Sequence, residues 1–149
     1  KNVMKKFGLI LASLLLSVMA IFADNEKVTR DKSVLPSVCR NFITANFGQT
    51  DISHIKIESN LLGVKGYDVI LTNGTNVEFD KSGEWKEIEA RHASIPLSVL
   101  PERIADYIRK NFPDNTVVSV DKDTREYEVK LNTDLELKFD RNGNFKKFD

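Results

Sequence analysis

The chain says one phrase twice. Tyr67 to Trp85 reads YDVILTNGTNVEFDKSGEW, Tyr127 to Phe145 reads YEVKLNTDLELKFDRNGNF, and the two align without a gap at an offset of 60. Tyr67 falls on Tyr127, Val69 on Val129, Leu71 on Leu131, Phe79 on Phe139, Asp80 on Asp140 and Gly83 on Gly143. Apolar residues at every second position have the period of a strand with one buried face. Asn73-Gly74 is a hairpin signal. Each Asp-x-x-Gly run is a further turn, in which the carboxylate bonds backbone amides and glycine takes a positive φ. Consecutive hairpins of this kind exclude a parallel sheet.

A helix belongs to the same repeat. Leu35, Val38, Cys39, Phe42, Ile43 and Phe47 recur at three- and four-residue steps, which predicts a helix over 34–47. Ser33 is its expected N-cap, Pro36 lies in its first turn and Gly48 ends it. At an offset of 65 the pattern returns as Leu100, Ile104, Tyr107, Ile108 and Phe112, with Pro101 in the first turn and Pro113 as the stop. A short β-rich run follows each helix, Ile52 to Glu58 and Thr116 to Val120. The link onward is Leu61 to Gly66 in the first copy and the tighter Asp121 to Glu126 in the second. Glu84 to Glu89 and Asn144 to Phe148 form the last strand of each copy, and Ala90 to Val99 joins the halves. The expected fold is α+β: a tandem α-β4 repeat, 34–89 and 95–149, forming an antiparallel sheet of about eight strands with two helices on one face.

The beginning of the chain is of another kind. Met4-Lys5-Lys6 precedes an almost wholly apolar run from Phe7 to Phe22, with small residues at Ala20 and Ala23. Residues 1–23 read as a secretory signal cleaved after Ala23, or else after Ala20. The run falls short of the ~20 residues of a spanning helix, so an uncleaved anchor is the weaker reading. Asp24 to Ser33 is polar and charged, and is expected to be a flexible leader or a poorly paired edge.

Charge and cysteine content narrow the function classes. Lys+Arg and Asp+Glu are both 22, for zero formal charge. Removing 1–23 takes three Lys and no acid, leaving 19 against 22, a formal −3. There is no basic excess for a nucleic acid. Cys39 is the one cysteine and cannot form an internal disulfide.

Taken together, the LP-led helix ending in NF, then Y-x-V-x-L, then F-D-x-x-G-x-(W/F), twice behind a signal segment, resembles the PepSY-like periplasmic proteins of gut Bacteroides-type bacteria. The match covers Val34 to Asp149. The resemblance implies a fold like that of the β-lactamase inhibitory protein, with a curved antiparallel sheet, helices on the convex side and an open concave face. It implies no catalytic residues.

The candidate sites divide in the same way. Cys39 lies on the helix's apolar stripe and aligns with Ile104, so a buried hydrophobe explains it better than a reactive thiol. His54 and His92 have no metal-ligand spacing. The Asp80 and Asp140 runs lack the alternating ligand series of a calcium loop. No phosphate loop or nucleophile elbow is present. No catalytic residue, metal or cofactor is assigned. Trp85 faces Phe145 in the alignment, so packing is its first reading and a ligand contact its second. The strand residues pointing away from the helices, Asp68, Ile70, Glu78, Glu128, Lys130, Glu136 and Lys138, form a charged face of both signs. Binding is expected there at Asp68, Ile70, Glu78, Glu128 and Lys130, with Leu61 and Leu62 of the insertion and Trp85 as further contacts.

These readings converge on a periplasmic or secreted, non-catalytic binding module, inhibitor-like, monomeric, holding an envelope protein or peptide on the open sheet face and free of the membrane after cleavage. The competing expectation is a carrier of a small molecule or envelope component, which needs an apolar pocket between sheet and helices.

Overall fold

Pro36 and Pro101 decide where the helices begin. The ring of a proline forces the preceding residue out of the helical region, and Leu35 and Leu100 are accordingly extended, with ψ of 138° and 151°. A computed structural model, describing residues 24–48 and 50–149, therefore starts helix α1 at Ser37 (Ser37–Phe47) and helix α2 at Glu102 (Glu102–Asn111), with the prolines at the N-cap positions. The expected start at Val34 and the expected cap at Ser33 are corrected accordingly. Ser33 lies in a separate 3-10 turn, Lys32–Val34, where Asp31 Oδ1 accepts from its backbone amide at 2.9 Å. The proposed signal segment, 1–23, lies outside the described residues.

The strands are β1 Asn25–Thr29, β2 Ile52–Asn60, β3 Gly63–Leu71, β4 Asn76–Asp80, β5 Trp85–Glu89, β6 Val117–Lys122, β7 Glu126–Leu131, β8 Glu136–Asp140 and β9 Phe145–Phe148. They form one sheet in sequence order, every neighbouring pair antiparallel. α1 lies between β1 and β2 in the chain, and α2 between β5 and β6. The ninth strand, beyond the eight expected, comes from the polar leader: Asn25 to Thr29 pairs with Ser59 to Ile55, so this stretch is an edge strand and not a flexible leader. Its charged composition suits a sheet edge, where lysine and glutamate discourage pairing with another chain.

Both helices pack on the same side of the sheet. Cys39 and Ile43 of α1, and Ile104 and Ile108 of α2, join Ile55, Val69, Val77, Phe79, Ile88, Val120, Val129, Leu137 and Phe139 in one buried core. The contacts at the aligned positions have the same form. Phe42 of α1 meets Phe79 edge-on at 5.7 Å and stacks on Trp85 at 6.1 Å. Tyr107 of α2 meets Phe139 edge-on at 5.3 Å and stacks on Phe145 at 5.0 Å. The turn glycines lie against the helices: a Cβ on Gly83 would come within 3.3 Å of Cys39 Sγ, and one on Gly143 within 3.0 Å of Arg103 Cβ. Glycine is needed there both for its positive φ, 90° and 81°, and for the close approach.

The Leu61 to Gly66 insertion is not a loop. It lengthens β2 and β3 to 9 residues each, against 6 in β6 and β7, so this hairpin runs on past the others. Asn60 Oδ1 accepts from the Leu62 amide at 2.8 Å and fixes its tip.

Candidate functional site

The side chains pointing away from the helices stand in rows, because residues opposite one another across a sheet share a face. One row can be read through the register from strand to strand: Lys56, Asp68, Glu78, Glu87, Asp121, Glu128, Lys138, Lys147. Five acids stand side by side, with lysines at either end. With strands ~4.8 Å apart, adjacent members of the row are close enough to repel. At one end Glu128 pairs with Lys138 at 2.8 Å. At the other, Lys56 pairs with Glu26 at 3.6 Å. Among the described residues no ion pair or side-chain hydrogen bond involves Asp68, Glu78, Glu87 or Asp121.

The four unpaired acids carry the electrostatic consequence. Burial, then the charge of Glu58, raises the pKa of Asp68. Burial, then Asp68 and Glu87, raises Glu78. Burial, then Asp121, raises Glu87, and burial, then Glu128, raises Asp121. All four hold their charge at a cost, and a cation laid along the row would relieve it.

A second row runs beside the first: His54, Ile70, Asn76, Glu89, Ser119, Lys130, Glu136. Two depressions open between the rows. The larger, about 380 Å³, is lined by Lys56, Asp68, Ile70, Gly74, Asn76 and Glu89, with Arg91 and His92 from the loop after β5. The smaller, about 170 Å³, lies over Glu87, Asp121, Glu128 and Lys130.

The sheet thus brings Asp68, Ile70, Glu78, Glu128 and Lys130 together on one open face. It places Leu61 and Leu62 elsewhere, at the β2–β3 hairpin tip, 69% and 89% exposed. Trp85 requires correction as a binding residue. It is 8% exposed, on the helix side of the sheet, stacked on Phe42, packed near Tyr127 and covered by Lys122 Nζ at 4.2 Å. Glu87, Asp121, Asn76 and Glu89 are face residues that the sequence pattern did not reveal.

Other chemistry finds no footing among the described residues. No three His, Cys, Asp or Glu stand close enough together to hold a metal ion. Asp80 and Asp140 are occupied by their turns, accepting from the Ser82 and Glu84 amides and from the Asn142 and Asn144 amides. Cys39 is fully buried, and burial pushes its thiol up to about 11. No described helix is long and apolar enough to cross a membrane.

An antiparallel α+β sheet, helices on one face and an unshared charged face on the other, defines a domain whose exposed sheet is its distinctive surface. Residues 65–147 match the family model described as "Putative beta-lactamase-inhibitor-like, PepSY-like". The chain is similar to a solved structure from Bacteroides thetaiotaomicron, a "putative calcium-regulated periplasmic protein", at 37% identity over 83% of this chain and 96% of that one, with a TM-score of 0.75. It is similar to a second, a "putative periplasmic protein of unknown function" from Bacteroides vulgatus, at 36% identity over 84% of this chain and 99% of that one, again with a TM-score of 0.75. No curated protein matches it. The chain belongs to the PepSY-like family, and like these relatives it is a periplasmic protein.

Proposed function

We propose that the protein is a non-catalytic periplasmic binding module that holds a basic segment of a partner protein or peptide across the open face of its sheet. The observation that carries this reading is the row Asp68, Glu78, Glu87, Asp121: four carboxylates in consecutive register, none in an ion pair among the described residues. A lysine- or arginine-bearing segment crossing the strands supplies the missing charge, and electrostatic complementarity of this kind sets partner choice and on-rate. The family's inhibitor-like description fits a protein that acts by occupying a partner. The carrier reading loses support, because large side chains fill the space between sheet and helices, Phe79 and Phe139 among them.

The test is a titration of the full chain with an acetylated, amidated oligolysine peptide, with an oligoglutamate peptide and with calcium chloride. Oligolysine should bind, weaken steeply with added salt, and shift the NMR signals of β3 to β7. The double variant Asp68→Asn with Asp121→Asn should bind it at least about tenfold more weakly, the equivalent of 1.4 kcal/mol. Equal binding by wild type and variant would sink the sheet-face reading. So would saturable calcium binding at the same residues with no oligolysine binding, which would instead connect the face to the calcium regulation named for the B. thetaiotaomicron relative.

A further inference from the structure

We propose that the tip of the β2–β3 hairpin is a lipid contact: Leu61, Leu62 and Val64 seat the domain on a bilayer surface, beside the point where the apolar N-terminal segment joins the fold. This contact is separate from the open sheet face and goes beyond the binding reading above.

The tip stands clear of the strands around it. β1 pairs with β2 only as far as Asn25 with Ser59, and β4 pairs with β3 only as far as Asp80 with Gly66. Asn60 to Lys65 run on beyond both. Leu61, Leu62 and Val64 are exposed there and belong to no part of the core. The turn does not require them. Asn60 Oδ1 already secures it through the Leu62 amide. In the second copy Asp123 does the same work through the Arg125 and Glu126 amides, and the link Asp121 to Glu126 has no apolar residue at all. The leucines are therefore surplus to the hairpin, and adjoining exposed apolar side chains on a folded domain mark a surface that meets something apolar.

The path of the chain identifies that surface. Asp24 lies against the tip, its carboxylate accepting from Lys65 Nζ at 3.0 and 3.1 Å. The apolar run Phe7 to Phe22 ends two residues earlier, a reach of about 7 Å. A bilayer that receives the run is therefore within reach of the leucines. The charges suit a headgroup layer. Lys65 and Lys81 line the tip with Asn60, Leu62, Gly63 and Val64, and no acid shares that lining. Asp24 pairs with Lys65, while Lys81 is in no ion pair among the described residues. Glu26 and Glu58, opposite one another, are set back from the tip. Exposed leucine with lysine beside it is the composition of an interfacial contact. Alone such a contact is weak and reversible, because stable attachment takes two signals. The tip supplies the second signal while the N-terminal segment supplies the first, and it lets go once that segment is removed.

The experiment places the full chain in vesicles of phosphatidylethanolamine and phosphatidylglycerol with brominated acyl chains, which quench tryptophan on contact. Trp85→Phe removes the buried tryptophan. Leu62→Trp then puts the reporter at the tip, and Phe148→Trp puts it at an exposed apolar position on β9, the far edge of the sheet. The reporter at position 62 should lose at least half its emission and shift to the blue, and the one at position 148 should do neither. Adding Leu61→Ser and Val64→Ser should lower the quenching at position 62 by about twofold or more, because three side chains share the contact. If Trp85→Phe fails to fold, each reporter is read as the difference from the chain that keeps Trp85. Equal quenching at positions 62 and 148, or none at 62 in vesicle-held chain, overturns the proposal. Quenching indifferent to Leu61→Ser and Val64→Ser reflects the added tryptophan alone and overturns it too, as does failure of the full chain to associate with the vesicles.

Discussion

Glu87 and Asp121 stand opposite one another across β5 and β6, the joint where the sheet passes from the strands following α1 to the strands following α2. Two like charges meet at the one strand pair that unites the halves. Folding must hold them together: burial first, then the charge of Asp121, raises the pKa of Glu87, while burial, then Glu128 and Asp123, raises that of Asp121.

Removing one charge should therefore stabilise the protein. For each acid the folded pKa lies above the unfolded one, so the penalty is present at neutral pH and disappears as pH falls below the ordinary carboxylate range. Glu87→Gln is expected to gain about 0.5 kcal/mol at pH 7, a value kept small because water screens these half-exposed groups. The gain should shrink toward zero near pH 4 and in high salt. Urea midpoints at the two pH values measure it, and a gain independent of pH would rule out charge repulsion as its cause.

This joint also shows where the sequence was legible and where it was not. The buried side of the sheet follows from strict alternation, as at Tyr67, Val69, Leu71 and their aligned partners, because burial selects apolar residues at fixed spacing. The acidic row escapes the same reading. An irregularity between the Glu78 and Phe79 pairs puts both Trp85 and Ile88 on the core side, three residues apart, so alternation assigns Glu87 to no face. Asp121 looks like the start of a link because its strand continues through a polar residue and ends in a buried lysine, Lys122. β1 is held by backbone pairing at an exposed edge, so its side chains carry no apolar pattern to read. The depression over Asn76 is closed partly by Arg91 and His92 from a loop, and no periodicity reports on which loop covers which strand.

Lys122 offers a different test, on the helix side. It is 8% exposed, bonds Glu84 at 3.0 Å and lies over the Trp85 ring. Burial lowers its pKa, and the hydrogen bond it donates to Glu84 works against that shift. Glu84→Ala should destabilise the fold by about 1 kcal/mol, since it strands a buried ammonium while leaving the aromatic contact in place. Lys122→Met, which fills a similar volume without charge, should be neutral or stabilising. A larger loss from Lys122→Met than from Glu84→Ala in thermal unfolding would show that the ammonium's contact with Trp85 outweighs its desolvation.

Asp134 is the one non-glycine residue with a positive φ, 66°, among the described residues. Gly74 holds the aligned turn position with φ 84°, and both turns make the same bond, from the amide of that residue to the leucine carbonyl three positions earlier. An aspartate tolerates this conformation less well than glycine. Its ion pair with Lys130, 3.7 Å and highly exposed, gives little back. Asp134→Gly should therefore raise stability by about 0.5 kcal/mol. An unchanged or lower denaturation midpoint, at constant m, would show that the aspartate carries no strain there.

Cys39 supplies a reporter for how the first helix comes away from the sheet. Its thiol is fully buried against the Gly83 turn, and burial pushes its pKa up to about 11, so at neutral pH it is both hidden and protonated. Thiol reagents should modify it only through openings that lift α1, because the thiolate is the reactive form. Gly83→Ala should accelerate that modification strongly. Its new Cβ would sit 3.3 Å from the sulfur in a backbone conformation that alanine resists, with a cost of about 1–3 kcal/mol. Gly143→Ala strains the corresponding turn under α2, against Arg103. If α1 and α2 leave the sheet separately, it should speed Cys39 labelling far less than Gly83→Ala at equal loss of stability. Equal acceleration by the two variants would show instead that the nine strands and both helices open as one cooperative unit.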